Sequence, residues 1–203
     1  YRVYQDVVRN GLQYLCLVHE VDCVERFIQL FGYVYRGSYP LHAARLNNDI
    51  IKLHMKYGAD PYFCGDTLSL FDMLVYEYHN ESFEIIDYIL TCKPLDINAY
   101  TFRYSTVFNT KNIPYYLVDR PILVPIFLKH GLNCNSLIDE VGLAARFRAY
   151  PHIVAEILKY SIRLDILERD LEYVTTRANF IGLSTLYETR DMISKEIQRR
   201  TKN

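Results

Sequence analysis

The sequence is poor in the features that define several large classes of protein. It has no tryptophan, and only 8 glycines and 7 prolines among 203 residues of which half are apolar, which excludes low-complexity and disordered chains. No apolar run approaches the roughly 18 residues that a membrane span needs. The net charge of −1 gives no global attraction to nucleic acid or acidic lipid, and the charged opening YRVYQDVVRN lacks the apolar core of a signal peptide. We therefore expect a folded chain that works away from membranes and nucleic acid.

Cysteine is also scarce, with five residues at scattered positions and no CxxC pair. A chain of this length can build a core without disulfides, and an odd number of cysteines cannot all pair within it. We interpret the cysteines as reduced thiols, which predicts a cytoplasmic location, with the nucleus as the alternative.

Catalytic motifs are missing as well. The glycines are isolated, so there is no phosphate-binding loop, and neither GxSxG nor HExxH occurs. The cluster Glu77, His79, Glu81 and Glu84 fits a polar turn between two helices better than a metal site. A cysteine–histidine nucleophile pair stays open, because nothing in the sequence marks one cysteine over the others. We predict no enzymatic activity, no metal and no cofactor.

A pattern of helical hairpins is present instead, and it is clearest in YPLHAARLNNDIIKLHMKYGADP at 39–61. Ala43 and Ala44 belong to a short apolar face, and apolar residues resume at helical spacing from Ile50. Asp49 stands where an N-cap belongs, and Gly58 is expected to stop the second helix. This stretch predicts a short helix, a tight turn, a second helix and a glycine-ended loop.

The same order of features recurs along the chain. Copies lie at 12–31, where Asp22 is the predicted cap, at 68–90 with a turn at 79–82, at 122–135, and at 137–166, where Pro151 comes early in the second helix. A partial sixth copy begins at Leu171. The helix ends recur about every 30 to 38 residues, a period typical of solenoids. We predict an all-α solenoid of five to six stacked helical hairpins with few strands, forming a single domain over 1–203.

The best-defined copy resembles a known repeat. PLHAA at 40–44 and YGADP at 57–61 are similar to the start and the end of an ankyrin repeat, and HGLNCN at 130–135 resembles that end in part. The resemblance implies structural roles: Pro40 begins the first helix, His42 hydrogen-bonds between neighbouring repeat turns, and Gly58 is left-handed. The irregular spacers and the Tyr-, Asn- and Ile-rich repeats further resemble the ankyrin proteins of large DNA viruses, especially poxvirus host-range proteins, which bind host defence proteins.

Ankyrin arrays bind partners through the loops that project between repeats, together with the first helices. Three such loops are aromatic here and two of them add an arginine, and Tyr and Arg concentrate binding energy in interfaces. The alternative is that some of these rings pack within the fold. The predicted partner-binding strip consists of Tyr33, Tyr35, Arg36, Tyr39, Tyr62, Phe63, Tyr100, Phe102, Arg103 and Tyr104.

The stretch 98–119 is longer than a standard ankyrin loop. It is either an insertion that contacts the partner or a degenerate first helix of the fourth repeat. We favour the helix, because TVFNTKNIPYYLV at 106–118 occupies its position.

The predicted function is protein–protein interaction, in the form of a viral antagonist or host-range factor that sequesters a host defence protein in the host cytoplasm and so evades immunity. The alternative is a substrate receptor of a cullin-type ubiquitin ligase, although neither an F-box-like segment nor a SOCS box is recognisable. The expected partner is a host or cellular protein, not a small molecule, nucleic acid or membrane. The chain itself is expected to be a monomer or a weak homodimer.

Overall fold

A computed structural model describes most of the chain. Most of the described residues are helical, which confirms the predicted all-α class. The chain divides into an N-terminal unit, Tyr1–Pro94 with Arg103–Thr110, and a C-terminal unit, Leu95–Phe102 with Lys111–Asn203; the single domain over 1–203 stays a prediction. The described residues are 2–18, 20–32, 43–44, 47–63, 68–77, 82–102, 111–113, 117, 120–141, 147, 150–160 and 162–202.

In the described part of the N-terminal unit, the regular secondary structure is helical. These are α1 (Arg2–Leu17), α2 (Val21–Phe31), α3 (Asn48–Lys56), α4 (Leu70–Glu77) and α5 (Ser82–Cys92). α1 packs against α2, α2 against α3, α3 against α5, and α4 against α5. The hairpin predicted at 68–90 matches α4 and α5, whereas the first predicted copy begins earlier than the pattern indicated, because α1 starts at the second residue.

The first two helices are held to this unit by one apolar side each. On α1, Val8, Leu12 and Cys16 recur at i, i+4 and i+8 and are buried, as expected for one face of a helix. On α2, Val24 and Ile28 are buried at the same spacing. Removing these side chains from water supplies the main driving force for docking α1 and α2.

Two predicted helix caps are wrong. The side chain of Asn47, not that of Asp49, accepts hydrogen bonds from the N–H groups of Asp49 and Ile50, at 3.0 and 3.1 Å. Asn47 has the extended backbone that an N-cap needs, with φ −135° and ψ 103°. α2 follows Glu20, which makes no side-chain cap hydrogen bond, and Asp22 lies in the first turn, where its negative charge still stabilises the helix dipole.

The C-terminal unit is helical except for one short strand pairing. Its elements are β1 (Thr101–Phe102), β2 (Lys111–Asn112), a 3-10 helix (Pro121–Leu123), α6 (Val124–Lys129), α7 (Cys134–Val141), α8 (Pro151–Ile157), α9 (Leu164–Ile181) and α10 (Ser184–Thr201). β1 and β2 are antiparallel, with Thr101 opposite Asn112 and Phe102 opposite Lys111. α6 packs against α8, α8 against α10, and α9 against α10. Pro151 is the first residue of α8, as predicted.

The long stretch 98–119 contains a short strand pairing followed by helical residues. It opens with β1 and β2, which are strands and not a helix. After β2, Ile113 and Leu117 are helical and fully buried, and their spacing of four places them on one helix face. The described residues therefore support a first helix only after the strand pairing, and 103–110, 114–116 and 118–119 lie outside the described part of the chain.

The ends of α3 and α6 share one backbone hydrogen-bond pattern. Gly58 and Gly131 follow these helices with φ of 90° and 94°, which confirms the left-handed conformation predicted for Gly58. The next N–H then donates to the carbonyl five residues earlier, which is the Schellman arrangement. These bonds join Ala59 to His54 at 3.0 Å and Leu132 to Phe127 at 2.9 Å.

The loops after α3, α5 and α6 begin with the same Asx turn. The side-chain oxygens of Asp60, Asp96 and Asn133 each accept a hydrogen bond from the N–H two residues later, at 3.2, 3.1 and 2.9 Å. An Asx side chain used in this way fixes the direction in which the loop leaves the helix. One loop geometry therefore recurs at the ends of three successive predicted repeats.

In the C-terminal unit, two asparagines tie successive loops together. The side-chain oxygen of Asn98 accepts from the N–H of Asn133 at 2.8 Å, and its amide nitrogen donates to the carbonyl of Gly131 at 3.0 Å. At the corresponding place in the next loop, the side-chain oxygen of Asn135 accepts from the N–H of Arg163 at 3.0 Å. Each loop thus satisfies backbone groups of the loop that follows it.

Replacing Asn98 by alanine is expected to lower the free energy of unfolding of the C-terminal unit by about 1 kcal/mol, because two hydrogen bonds to backbone are lost at an exposed site. Asn98→Asp should also destabilise, because a carboxylate oxygen would then face the carbonyl of Gly131. Thermal unfolding followed by circular dichroism measures both changes. Asn179→Ala, at an exposed position of α9, is the matched control and should change little; an equal loss there would contradict the role of Asn98.

The last hairpin differs from the preceding ones in length. α9 and α10 contain 18 residues each, whereas the second helices α3 and α6 contain 9 and 6. Ile166, Val174 and Ala178 of α9 are buried, as are Leu186 and Ile193 of α10. The predicted partial sixth copy is thus a long antiparallel helix pair.

Candidate partner-binding surfaces

The structure describes only part of the predicted aromatic strip. Phe102 lies in β1, but its side chain is not among those described. Tyr62, Phe63 and Tyr100 are described, and they do not all lie in one unit. The strip therefore stays a prediction. The remaining members, Tyr33, Tyr35, Arg36, Tyr39, Arg103 and Tyr104, fall outside the described residues, as does His42.

Tyr62 is engaged inside the N-terminal unit. Its hydroxyl donates to the carbonyl of Lys93 at 2.7 Å, and its ring meets Phe71 edge-on, with 5.1 Å between ring centroids. Burial raises the pKa of this tyrosine well above its usual range. The neighbouring Phe63 is half-exposed, so it is the aromatic side chain of this loop that a partner can reach.

A cysteine and a histidine do meet in the N-terminal unit. The Sγ atom of Cys16 lies 3.1 Å from Nε2 of His54, and both residues are completely buried. Burial raises the pKa of the Cys16 thiol to about 12 and lowers the pKa of His54 to about 4. Both groups are therefore neutral near pH 7, and no substrate can reach them. The pair joins α1 to α3 and is not an activated nucleophile.

Of the acidic cluster singled out in the sequence, only the Glu84 side chain is described, and it makes an ion pair between α5 and α3. Glu84 accepts from Lys52 at 2.7 Å, while His79 and Glu81 lie outside the described residues, as does the side chain of Glu77. In the described part of the chain, no group of three or more His, Cys, Asp and Glu side chains is arranged for a metal ion. No helix there is long and apolar enough to cross a membrane.

The charged segment at the start of α9 contains exposed acidic side chains and one that is buried. Arg163 pairs with Asp165 at the helix entrance, and the arginine lowers the pKa of this exposed carboxyl. Asp170, in contrast, is almost completely buried, with Nε of Arg169 3.7 Å from its carboxylate. Nothing in the sequence around Asp170, which is charged on both sides, indicates this burial.

The tip of the α9–α10 hairpin presents the most exposed large apolar side chain of the described chain. Phe180 is 87 % exposed, and Ile181 and Leu183 are 42 % and 49 % exposed. Gly182, between the two helices, has φ 70° and caps α9 through its N–H to the carbonyl of Ala178. α9 and α10 pack against each other along the hairpin and present these side chains together as an apolar knob at its end.

The apolar tip was not predicted, because Phe180 and Ile181 fall within the pattern of the sixth repeat. A signal was present. The run FIGL at 180–183 places apolar residues on both sides of a turn glycine, where polar residues are normal. Such a run predicts either burial by another element or a contact surface.

Comparisons of the chain with protein-family models, with curated proteins and with solved structures find no match. The similarity to ankyrin repeats is therefore carried by the residues at 40–44, 57–61 and 130–135 alone.

Proposed function

We propose that this chain is a protein-binding module whose hairpins are ankyrin-like repeats. The observation that carries the proposal is the apolar tip formed by Phe180, Ile181 and Leu183 on the α9–α10 hairpin. Burying one large apolar side chain contributes about 1.5 to 3 kcal/mol, and interface energy concentrates in a few such anchors. A knob of this kind fits an apolar pocket on a folded protein.

The ankyrin-like interpretation is supported by the loops. Ankyrin-like repeats should end their second helices alike and join each loop to the next. The left-handed Gly58 and Gly131, and the shared Asx turns that follow, are what such repeats need. The bonds from Asn98 and Asn135 to the next loop give the repeats a common connection. No repeat count follows from these bonds.

The one cysteine–histidine pair in the described part of the chain argues against nucleophilic catalysis, and so favours binding. Cys16 and His54 contact each other but are neutral and completely buried. An activated cysteine needs a lowered pKa and access for the substrate. The tip, in contrast, is exposed and apolar, which suits recognition of a partner.

The finer proposal is that the module is a viral antagonist or host-range factor that sequesters a host defence protein. It rests on the resemblance of the Tyr- and Asn-rich repeats to poxvirus ankyrin proteins. The expected site of action is then the host cytoplasm.

The alternative is a substrate receptor of a cullin-type ubiquitin ligase. One observation favours it: α9 and α10 depart from the length of the preceding repeat helices and display an exposed apolar end. A recruiting segment appended to a repeat array would have both properties. In this alternative the tip binds the ligase, and the loops bind the substrate.

The proposal is tested with Phe180→Asp. Tagged chain is expressed in human cells, the proteins that co-purify are quantified by mass spectrometry, and the affinity of a purified partner is measured by calorimetry. Placing a carboxylate in an apolar pocket is expected to weaken binding at least 30-fold, because a hot-spot residue contributes about 2 kcal/mol or more. Defence proteins among the partners would support the host-range role, and cullin or Skp-type proteins would support the ligase role.

The matched control is Leu164→Asp, an exposed apolar residue at the opposite end of α9, which should bind as the unchanged chain does. Phe63→Ala separately tests the loop aromatics. Circular dichroism must show that every variant is folded. A partner that binds Phe180→Asp with unchanged affinity would show that the tip is not the binding site. If no partner binds saturably, the proposed function is wrong.

A further inference from the structure

We propose that the outer side of the α1–α2 hairpin is a self-association surface through which two copies of this chain pair. This surface shares no residue with the α9–α10 tip, and the inference does not depend on the proposed function. We call it the outer face; it consists of Val7, Tyr14 and Leu17 of α1, Val18 directly after α1, and Leu30 and Phe31 of α2.

α1 carries two apolar stripes where a surface helix normally carries one. The first stripe is the buried one that begins at Val8. The second stripe consists of Val7, Tyr14 and Val18. Tyr14 and Val18 come 7 and 11 residues after Val7, and these spacings place all three on one side of the helix. Val7 and Tyr14 are each 65 % exposed. Within the described part of the chain, the second stripe is therefore left largely uncovered.

α2 extends this second stripe across the hairpin. A Cβ atom at Gly11 would lie only 3.0 Å from the ring of Phe27, so the two helices touch there. The ring of Phe31 is 4.7 Å from that of Phe27, one turn further along α2. Leu30 is 68 % exposed and lies about 100° from Phe31 around α2, on the side away from the buried Val24 and Ile28. Because the chain reverses between α1 and α2, Phe31 lies toward the Val7 end of α1.

The outer face is comparable in extent to a small dimer interface. Its six side chains expose on the order of 600 Å² per copy, so pairing would bury roughly 1,200 Å², the lower end of specific interfaces. Leaving this apolar face in water is unfavourable. Covering it with an identical face is the isologous arrangement of two-fold dimers.

Charge favours a second copy over other occupants. Residues 2–31 contain three arginines and four acidic residues, so no field of one sign repels an identical face. An anionic lipid surface would instead require a basic excess around the apolar stripe, and so would nucleic acid. The partner surface that fits this balance of charges is therefore apolar and nearly neutral. The outer face of a second copy is such a surface.

The test is sedimentation velocity on the purified full chain from 1 to 200 µM. We expect the average mass to rise toward that of a dimer with increasing concentration. Tyr14→Glu and Leu30→Glu, each placing a charge in the face, should raise the dimer dissociation constant at least 10-fold. Tyr150→Glu, at an exposed tyrosine of the C-terminal unit, is the control and should dimerise normally.

Two results would overturn the inference: a monomer at every concentration, or a dimer that both outer-face variants leave intact. Both substituted positions are solvent-exposed, so the variants should fold, and circular dichroism checks this. Because neither variant touches Phe180, partner binding by these variants would still report on the proposed function separately.

Discussion

Lowering the pH from 7.5 to 5 is expected to reduce the free energy of unfolding of the N-terminal unit by about 2 kcal/mol through His54. Burial lowers the pKa of this histidine to about 4 in the folded chain, against about 6.5 in an unfolded chain. Between these values the unfolded chain binds a proton that the folded chain does not. Stability therefore falls as the pH drops through 6.5 and levels off below 4.

Urea unfolding at the two pH values measures this change, and hydrogen exchange in α3 assigns it to the N-terminal unit. His54→Gln should flatten the pH dependence in this window, whereas His152→Gln, at an exposed histidine of α8, should leave it unchanged. Carboxylates with a lowered pKa, such as Glu25 and Asp165, lose their contribution only near and below pH 4 and do not interfere. A stability that does not change between pH 7.5 and 5 would contradict the buried neutral imidazole.

The helix ends were the most predictable part of the fold, because local chemistry decides them. Gly58 was expected to be left-handed and is, since other residues pay a steric cost in that conformation. Pro151 begins α8 as predicted. The cap of α3 was misassigned to Asp49, because 47–49 offers three residues that can all cap a helix. Asn47 is the cap because it has the extended backbone conformation that an N-cap needs, and the sequence does not reveal that conformation.

Whether a single side chain is buried or exposed was less predictable, because residues distant in the sequence decide it. Tyr62 belongs to a predicted binding loop, yet its hydroxyl bonds to the carbonyl of Lys93 on another element. Asp170 has the same kind of charged neighbours as exposed acidic residues, but the packing of α9 buries it. Phe180 has an apolar sequence context typical of a core residue and is exposed, because the chain turns at that point. Binding surfaces therefore need the structure, whereas repeat ends do not.

Arg200 connects the end of α10 to the loop that precedes α9. Its guanidinium donates to the carbonyls of Ile162 and Tyr160, the latter at 3.0 Å, and to the carboxylate of Glu196 at 2.5 Å. Arg199 binds the same carboxylate, at 2.7 and 2.8 Å. Hydrogen bonds from Arg199 and then from Arg200 lower the pKa of Glu196 to about 2. The two arginines thus share one acidic partner, but the described bonds to backbone carbonyls come from Arg200.

Replacing Arg200 by alanine is expected to lower the free energy of unfolding of the C-terminal unit by about 2 to 3 kcal/mol, because charge-assisted bonds to two carbonyls are lost. Arg199→Ala is the matched control and should cost under about 0.5 kcal/mol, since it removes only a surface ion pair. The Arg199 side chain is 65 % exposed and that of Arg200 only 22 %. Thermal unfolding gives both values, and hydrogen exchange at 160–163 should rise only in Arg200→Ala. Equal losses from the two substitutions would show that the carbonyl contacts add nothing beyond the shared ion pair.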